Sequence, residues 1–125
     1  MESEKIKTVP KSWGKEEWIV NTKDYCGKKL HLYKGKRCSL HHHKNKDETF
    51  YISEGEVLME VGDKKWVMKK GDVQRIMPLT NHRFSGLKDS IILEFSTHHE
   101  DSDSHRVEET IINDIPKEIM EEYSK

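Results

Sequence analysis

Short apolar stretches follow one another from Trp18 to Thr97 and are separated by glycine and charged turns. Glu54-Gly55 and Gly62-Asp63 are turn signals of this kind. Many short, evenly spaced strands favour a barrel or jelly roll over a helical fold, so the sequence predicts an all-β protein. The predicted strands are Trp18–Asn21, Lys29–Tyr33, Ser39–His43, Thr49–Ser53, Val57–Val61, Lys65–Met68, Val73–Ile76, His82–Phe84 and Ser90–Ser96.

The two ends of the chain differ from this central part. Residues 1–12 are polar and are expected to form an N-terminal arm, while the barrel spans about residues 18–97. Near the other end, Asp114 is expected to cap a short C-terminal helix at about residues 114–124, with Pro116 in its first turn. The 125 residues are therefore predicted to form one domain. The helix would carry one apolar stripe, made of Ile115, Ile119, Met120 and Tyr123.

Composition argues against several classes of protein. Lysine and arginine number 22 and acidic residues 23, so no basic field indicates binding to nucleic acid or to an anionic membrane. No apolar run approaches the roughly 20 residues of a membrane span, and the N-terminus has no apolar core typical of a signal peptide. Cys26 and Cys38 are fewer cysteines than a secreted domain of this size usually carries. We therefore expect a reduced, cytoplasmic protein.

A histidine cluster followed by a carboxylate predicts a metal site. Alternate side chains of a strand share a face, so His41 and His43 point the same way and His42 faces away. A short loop returns the chain, so that Glu48 can face the pair from the next strand. A carboxylate above an apolar interior needs a compensating cation or donors. Imidazoles and a carboxylate together suit one divalent transition metal: Mn, Fe, Zn, Co or Ni.

A second segment, which begins at Gly71, supplies a fourth candidate ligand. Val73–Ile76 is a predicted strand, and Pro78 makes a rigid bend before His82. A single histidine after a proline is usually structural. Beside the first cluster, however, His82 is expected to complete the ligand set.

These two segments resemble the two sequence motifs of the cupin superfamily. In the second segment, Gly71 and His82 match, whereas Met77 occupies the family's proline position. The resemblance covers roughly residues 28–97 and implies a double-stranded β-helix, the jelly-roll cupin barrel, with metal held by His41, His43, Glu48 and His82. The first segment matches the motif at all its fixed positions, which are Gly35, His41, His43, Glu48 and Gly55.

A narrower likeness is to small sugar-isomerase cupins. Trp13-Gly14, the histidine triplet and an acidic run that ends in Arg106 are similar to the cupin-type phosphomannose isomerase domain, and the segments around Lys28 and Glu94 resemble D-lyxose isomerase-like cupins. In those enzymes a lysine before the histidines and a glutamate on a late strand are implicated in proton transfer. The likeness implies that Lys28 and Glu94 are catalytic. It also implies a sugar or sugar phosphate as the partner.

Each of these roles has an alternative from the sequence alone. Glu94 can equally be an outward-facing or structurally paired glutamate, and Lys28 a solvated lysine. Arg106 can clamp a phosphate or hydroxyl groups through its fork of donors. Its alternative partners are acidic side chains nearby in the sequence: Asp101, Asp103 and Glu108.

The leading hypothesis is a metal-dependent aldose–ketose isomerase that works through a metal-stabilised enediol. One alternative is a cupin that binds a sugar or nucleotide-sugar without turnover. Another is an iron-dependent cupin oxygenase, because the metal ligands alone do not select isomerisation. The terminal apolar stripe and the family's common association predict a homodimer.

Overall fold

Two antiparallel sheets enclose the core of the protein. The computed structural model describes residues 2–108 and 112–124. The strands are β1 Lys7–Lys11, β2 Gly14–Asn21, β3 Cys26–Leu32, β4 His41–His43, β5 Glu48–Glu54, β6 Glu56–Val61, β7 Lys64–Lys69, β8 Val73–Ile76, β9 His82–Gly86, β10 Ser90–Ser96 and β11 Ser104–Arg106. A 3₁₀ turn, Asp101–Asp103, precedes β11, and helix α1 spans Lys117–Tyr123.

Strand order defines a jelly roll. One sheet has six strands in the order β1-β2-β3-β10-β5-β8, and the other has five in the order β11-β4-β9-β6-β7. Strands that are neighbours in space are often distant in the chain; β3, for example, pairs with β10. The predicted all-β jelly-roll barrel with a short C-terminal helix is confirmed.

The core follows from strict alternation of side chains. In β3 and β5 every second residue is buried, as expected for strands with one face turned inward. The inward residues of both sheets form one apolar cluster, which accounts for the stability of the barrel. Its members are Trp13, Leu30, Leu32, Cys38, Phe50, Ile52, Val57, Met59, Met68, Ile76, Phe84 and Ile92.

Gly35 and Gly55, the two glycines that flank the predicted metal segment, both have positive φ angles, of 84° and 92°. Only glycine adopts such angles without strain. At Gly55 a Cβ atom would also lie 2.7 Å from the Cα of Ser90. The turn between β5 and β6 therefore requires glycine for conformation and for space.

The structure differs from the sequence prediction at both ends. Residues 7–11, expected within the arm, form β1, which pairs with β2; β1 carries almost no buried side chains, so no apolar alternation marked it. Helix α1 begins at Lys117 with Pro116 as its N-cap, so Asp114 does not cap it. Asp114 instead bridges to Lys36 in the barrel. Within the described residues, no helix has the length and apolar character to cross a membrane.

Candidate metal centre

Three histidines converge at one end of the barrel. His41 and His43 lie on β4, and His82 lies opposite His41 on β9. One nitrogen of each ring lies within 4.8 Å of those of the other two, which is close enough to hold a single ion. His42 faces the other side of the sheet, where it stacks on His105. The structure thus brings together three of the four predicted ligands.

Glu48 completes the group from the other sheet. It is the first residue of β5, and its side chain is 2% exposed. Its Oε2 lies 3.2 Å from the Nε2 of His43 and 3.2 Å from the Nε2 of His82. All four predicted ligand side chains therefore face one point.

Backbone carbonyls orient the histidine rings. The Nδ1 of His41 lies 2.7 Å from the carbonyl of Ser39, and the Nδ1 of His82 lies 2.9 Å from that of Thr80. His43 Nδ1 makes the equivalent contact, of 3.2 Å, with the carbonyl of Asp103. A carbonyl only accepts, so each Nδ1 donates its proton and each Nε2 presents a lone pair to the centre.

Two buried atoms of this group lack a hydrogen-bond partner in the described part of the chain. They are the Oε2 of Glu48 and the Nε2 of His82. Both are acceptors in the arrangement above, and leaving such an atom buried and unsatisfied costs about 1–3 kcal/mol. A cation between them would satisfy both. The donor set and its geometry therefore fit a divalent transition metal held by His41, His43, Glu48 and His82.

Burial keeps His41 neutral, which metal binding requires. It lowers the pKa of His41 to about 3, with the nearby His82 as the next cause. A neutral imidazole retains the lone pair that ligates a metal.

The loop between β4 and β5 is held by a residue that sequence reasoning did not select. The carboxylate of Asp103 accepts hydrogen bonds from the backbone N–H groups of Lys44, Asn45 and Lys46, at 2.9, 3.2 and 3.0 Å. Since the Asp103 carbonyl also accepts from His43, this one residue orients both the loop and a ligand. No local signal could identify it, because its partners lie about 60 positions away in the chain.

A cavity of about 770 Å³ adjoins the histidine group. Its size is within the range of pockets that bind small molecules. Three of the candidate ligands line it, namely His41, His43 and Glu48. It is also lined by the three other residues singled out from the sequence: Lys28, Glu94 and Arg106.

Glu94 points inward from β10 and is 4% exposed. Its Oε2 accepts hydrogen bonds from the Nζ of Lys46 and the Oγ of Ser96, both at 3.1 Å. Its other oxygen has no hydrogen-bond partner among the described residues. Burial raises the pKa of Glu94, and the negative charge of Glu48 raises it further. A carboxylate with a raised pKa is a stronger base than an ordinary glutamate.

Lys28 is the register partner of Glu94 on β3 and is 1% exposed, so it is not a solvated lysine. Its ammonium lies 3.3 Å from the Oε1 of Glu16 and 4.3 Å from the centre of the Trp18 ring. Lys28 therefore belongs to the cavity wall with its charge already paired.

Arg106 lies on β11 opposite His41 and is exposed at the cavity. It forms no ion pair with any residue that the structure describes. Its alternative partners are engaged elsewhere, since Asp101 contacts His99 and Glu108 contacts Arg83. The guanidinium is thus available to a ligand.

Lys46 was not identified from the sequence, where it is one of many lysines. Its side chain is 3% exposed, and its ammonium lies between Glu94 and Glu48 at 3.1 and 3.6 Å. Burial alone would lower its pKa, but the two carboxylates outweigh burial and raise it. Lys46 belongs to the site because the β4–β5 loop comes close to β10 in the fold, and the sequence alone does not show this contact.

The sequence profile of the Cupin domain matches residues 29–99, more than half of the chain. The protein belongs to the cupin family. As a cupin it also shares 38% identity over 53 residues with the uncharacterized protein MJ1618 of Methanocaldococcus jannaschii. That match spans 42% of this chain and 42% of the relative.

Solved structures share the fold at low sequence identity. An RmlC-like cupin from Shewanella frigidimarina is 18% identical, with a TM-score of 0.71 over 78% of this chain and 87% of that one. KdgF from Halomonas sp. is 20% identical, with a TM-score of 0.66 over 70% and 81% of the two chains. The capsular polysaccharide assembling protein CapF from Staphylococcus aureus is 17% identical, with a TM-score of 0.75 over 85% and 32%.

Proposed function

We propose that this cupin is a metal-dependent aldose–ketose isomerase that acts on a sugar or sugar phosphate. The observation that carries the proposal is the position of Glu94. Its carboxylate is buried in the wall of the same cavity as the histidine group, and one of its oxygens has no partner among the described residues. To move a proton from the carbon next to a carbonyl, an enzyme needs at least a carboxylate, or a similar acid–base group, that the substrate can reach beside the metal centre.

The reaction moves a proton between neighbouring carbons of an open-chain sugar through an enediol. Glu94 takes the proton from one carbon at its unpartnered oxygen and returns it to the other, while the hydroxyl proton passes between the two neighbouring oxygens so that the carbonyl changes place. Its raised pKa makes the carboxylate a stronger base for the first step than an ordinary glutamate. When bound to His41, His43, Glu48 and His82, the metal supplies stabilisation of the charge that develops on the sugar oxygen.

Lys28 and Arg106 take different roles in this proposal. Lys28 is fixed by Glu16 and Trp18, so it adds positive charge to the wall beside Glu94 and favours an electron-rich intermediate. Arg106 stands at the cavity without an ion-pair partner in the described chain, and its fork of donors suits a phosphate or a pair of hydroxyl groups.

The sequence likeness to phosphomannose isomerase domains and D-lyxose isomerase-like cupins supports this function. It extends from Trp13 to Arg106, and both residues line the cavity. CapF, a structural neighbour, is named for capsular polysaccharide assembly. A small-molecule carbohydrate is therefore the ligand class we propose.

We also propose that the whole chain is one cupin domain, which works in the cytoplasm as a homodimer. Exposed apolar side chains on the six-stranded sheet, such as Val73 and Phe95, support self-association. A monomeric mass by light scattering at working concentration would contradict the dimer.

The test combines metal analysis with a panel of aldoses, ketoses and their phosphates. We expect Glu94→Gln to keep its metal and to lose turnover by about 10²- to 10⁴-fold, the usual contribution of a positioned acid–base group. Glu54→Gln is the matched control, since Glu54 is exposed at the far end of β5.

Three outcomes would contradict part or all of this proposal. Unchanged turnover in Glu94→Gln removes the acid–base assignment. Sugar binding without turnover by the metal-loaded wild type indicates a binding protein. Oxygen consumption that depends on iron indicates an oxygenase.

A further inference from the structure

We propose that Lys46, supported by His99, is a positioning residue that holds the carboxylate of Glu94 in its working orientation beside the metal centre. The inference rests on the proposed function, in which Glu94 moves the substrate proton. Neither Lys46 nor His99 belongs to the histidine cluster.

The ammonium of Lys46 has three polar partners. Its Nζ lies 3.1 Å from the Oε2 of Glu94, 3.1 Å from the Nδ1 of His99 and 3.6 Å from the Oε1 of Glu48. Two of its three donors therefore make hydrogen bonds, to Glu94 and His99, and Glu48 lies at ion-pair distance. With its side chain 3% exposed, Lys46 has no solvent to replace any of them.

The main chain of Lys46 is fixed as well. Its N–H donates to the Oδ2 of Asp103 at 3.0 Å, within the set of bonds that orders the β4–β5 loop. A long side chain normally loses considerable rotational entropy when it is held in one place. Because its backbone N–H and its ammonium group are both held, the Lys46 side chain keeps a single position.

His99 can hold Lys46 only in one state, which the structure provides. Because Lys46 donates to Nδ1, the ring proton must be on Nε2, which lies 2.9 Å from the Oδ1 of Asp101. Burial, with the charges of Lys46 and Lys28, lowers the pKa of His99 to about 4, so the ring is neutral at neutral pH. The N–H of His99 donates to the Oδ1 of Asn21 at 3.0 Å, which anchors its backbone.

As a consequence, the two oxygens of each carboxylate have different partners. Lys46 occupies one oxygen of Glu94 and approaches one oxygen of Glu48. The second oxygen of Glu94 is left for the substrate, and the second oxygen of Glu48 faces the histidines. Lys46 also places one positive charge between two buried negative charges, which would otherwise repel each other.

The decisive variant is Lys46→Gln, tested with metal-loaded protein on whichever sugar the panel identifies. A misplaced reacting group can cost about 10²-fold in rate, so we expect kcat to fall by ~10- to 100-fold while KM and metal content change little. Lys44→Gln, in the same loop but exposed, is the matched control. Lys46→Arg should recover part of the lost kcat because it restores a buried cation.

A second pair of variants tests the support from His99. His99→Ala should lower kcat less than Lys46→Gln does, and His98→Ala, its neighbour, should not lower it. If Lys46→Gln fails to fold, His99→Ala still decides the matter. Wild-type kcat in His99→Ala, with Glu94 in its wild-type orientation in a crystal structure of that variant, would then overturn the positioning role.

Two readouts separate this inference from the isomerase proposal. If the wild type is active and Lys46→Gln keeps its kcat, positioning is wrong and the isomerase stands. If the wild type has no isomerase activity, a crystal structure of metal-loaded Lys46→Gln still tests positioning, because Glu94 should rotate away from its wild-type orientation. An unmoved Glu94, or metal lost in proportion to activity, would overturn the inference.

Discussion

The two ends of the barrel interior are built from the same strands but have opposite chemistry. In the apolar end, Ile92 of β10 lies between Leu30 of β3 and Ile52 of β5. The next inward-facing residue of β10 is Glu94, which lies between Lys28 of β3 and Phe50 of β5. Inward residues are two positions apart, so about 7 Å separates a hydrocarbon layer from a layer with buried charges.

The two layers of the barrel interior differ in what stabilises them. The apolar layer gains stability from burial alone, at roughly 25 cal/mol per Å² removed from water. Charges in the next layer gain nothing from burial and must each find a partner. Lys28 pairs with Glu16, and Lys46 with Glu94. At the histidines this pairing is incomplete, and a bound cation would complete it.

The largest effect is expected for removal of a ligand at the polar end. His43→Ala should lower metal affinity by more than the ~10- to 100-fold typical of losing an outer partner of a metal ligand. His42→Ala is the control, because His42 faces the other side of β4. Metal content after dialysis is the measurement. Equal occupancy in the two variants would remove His43 from the ligand set.

A truncation at the apolar end should affect stability and leave the metal in place. Ile92→Ala is expected to lower the free energy of unfolding by about 2–5 kcal/mol, since Ile92 is 0% exposed. Ile91→Ala, on the outward face of the same strand, should cost about 1 kcal/mol or less. Urea denaturation gives both values. If Ile92→Ala also releases the metal, the two ends are not independent.

The smallest effect concerns acid stability of the metal-free protein. The pKa of His41 is about 3 in the fold and about 6.5 when unfolded, so the unfolded state binds its proton first. This contribution to stability is present above pH 6.5 and is lost as the pH falls toward 3. By pH 5 about 2 kcal/mol of stability has been lost. His41→Asn should flatten the pH dependence in the presence of a chelator, and an unchanged slope would contradict the assignment.

Sequence patterns were sufficient for most of the barrel. Apolar stretches between turn residues marked β5 and β10, and in both strands alternate residues are buried. Strand β1 was missed because its side chains are nearly all exposed, and β11 because it has only three residues. Both strands are defined by their backbone partners, which a local pattern does not contain.

The sequence by itself determined the fold and which residues can bind a metal. Histidines at alternate positions share a face of a strand whatever surrounds them, and glycine is needed wherever φ is positive. Only the tertiary structure decided which charged residues belong to the site. Lys46, Asp103 and His99 resemble ordinary surface residues in the sequence, and they acquire their roles because loops distant in the chain meet at one end of the barrel. Burial and pairing depend on those long-range contacts, which the local sequence does not encode.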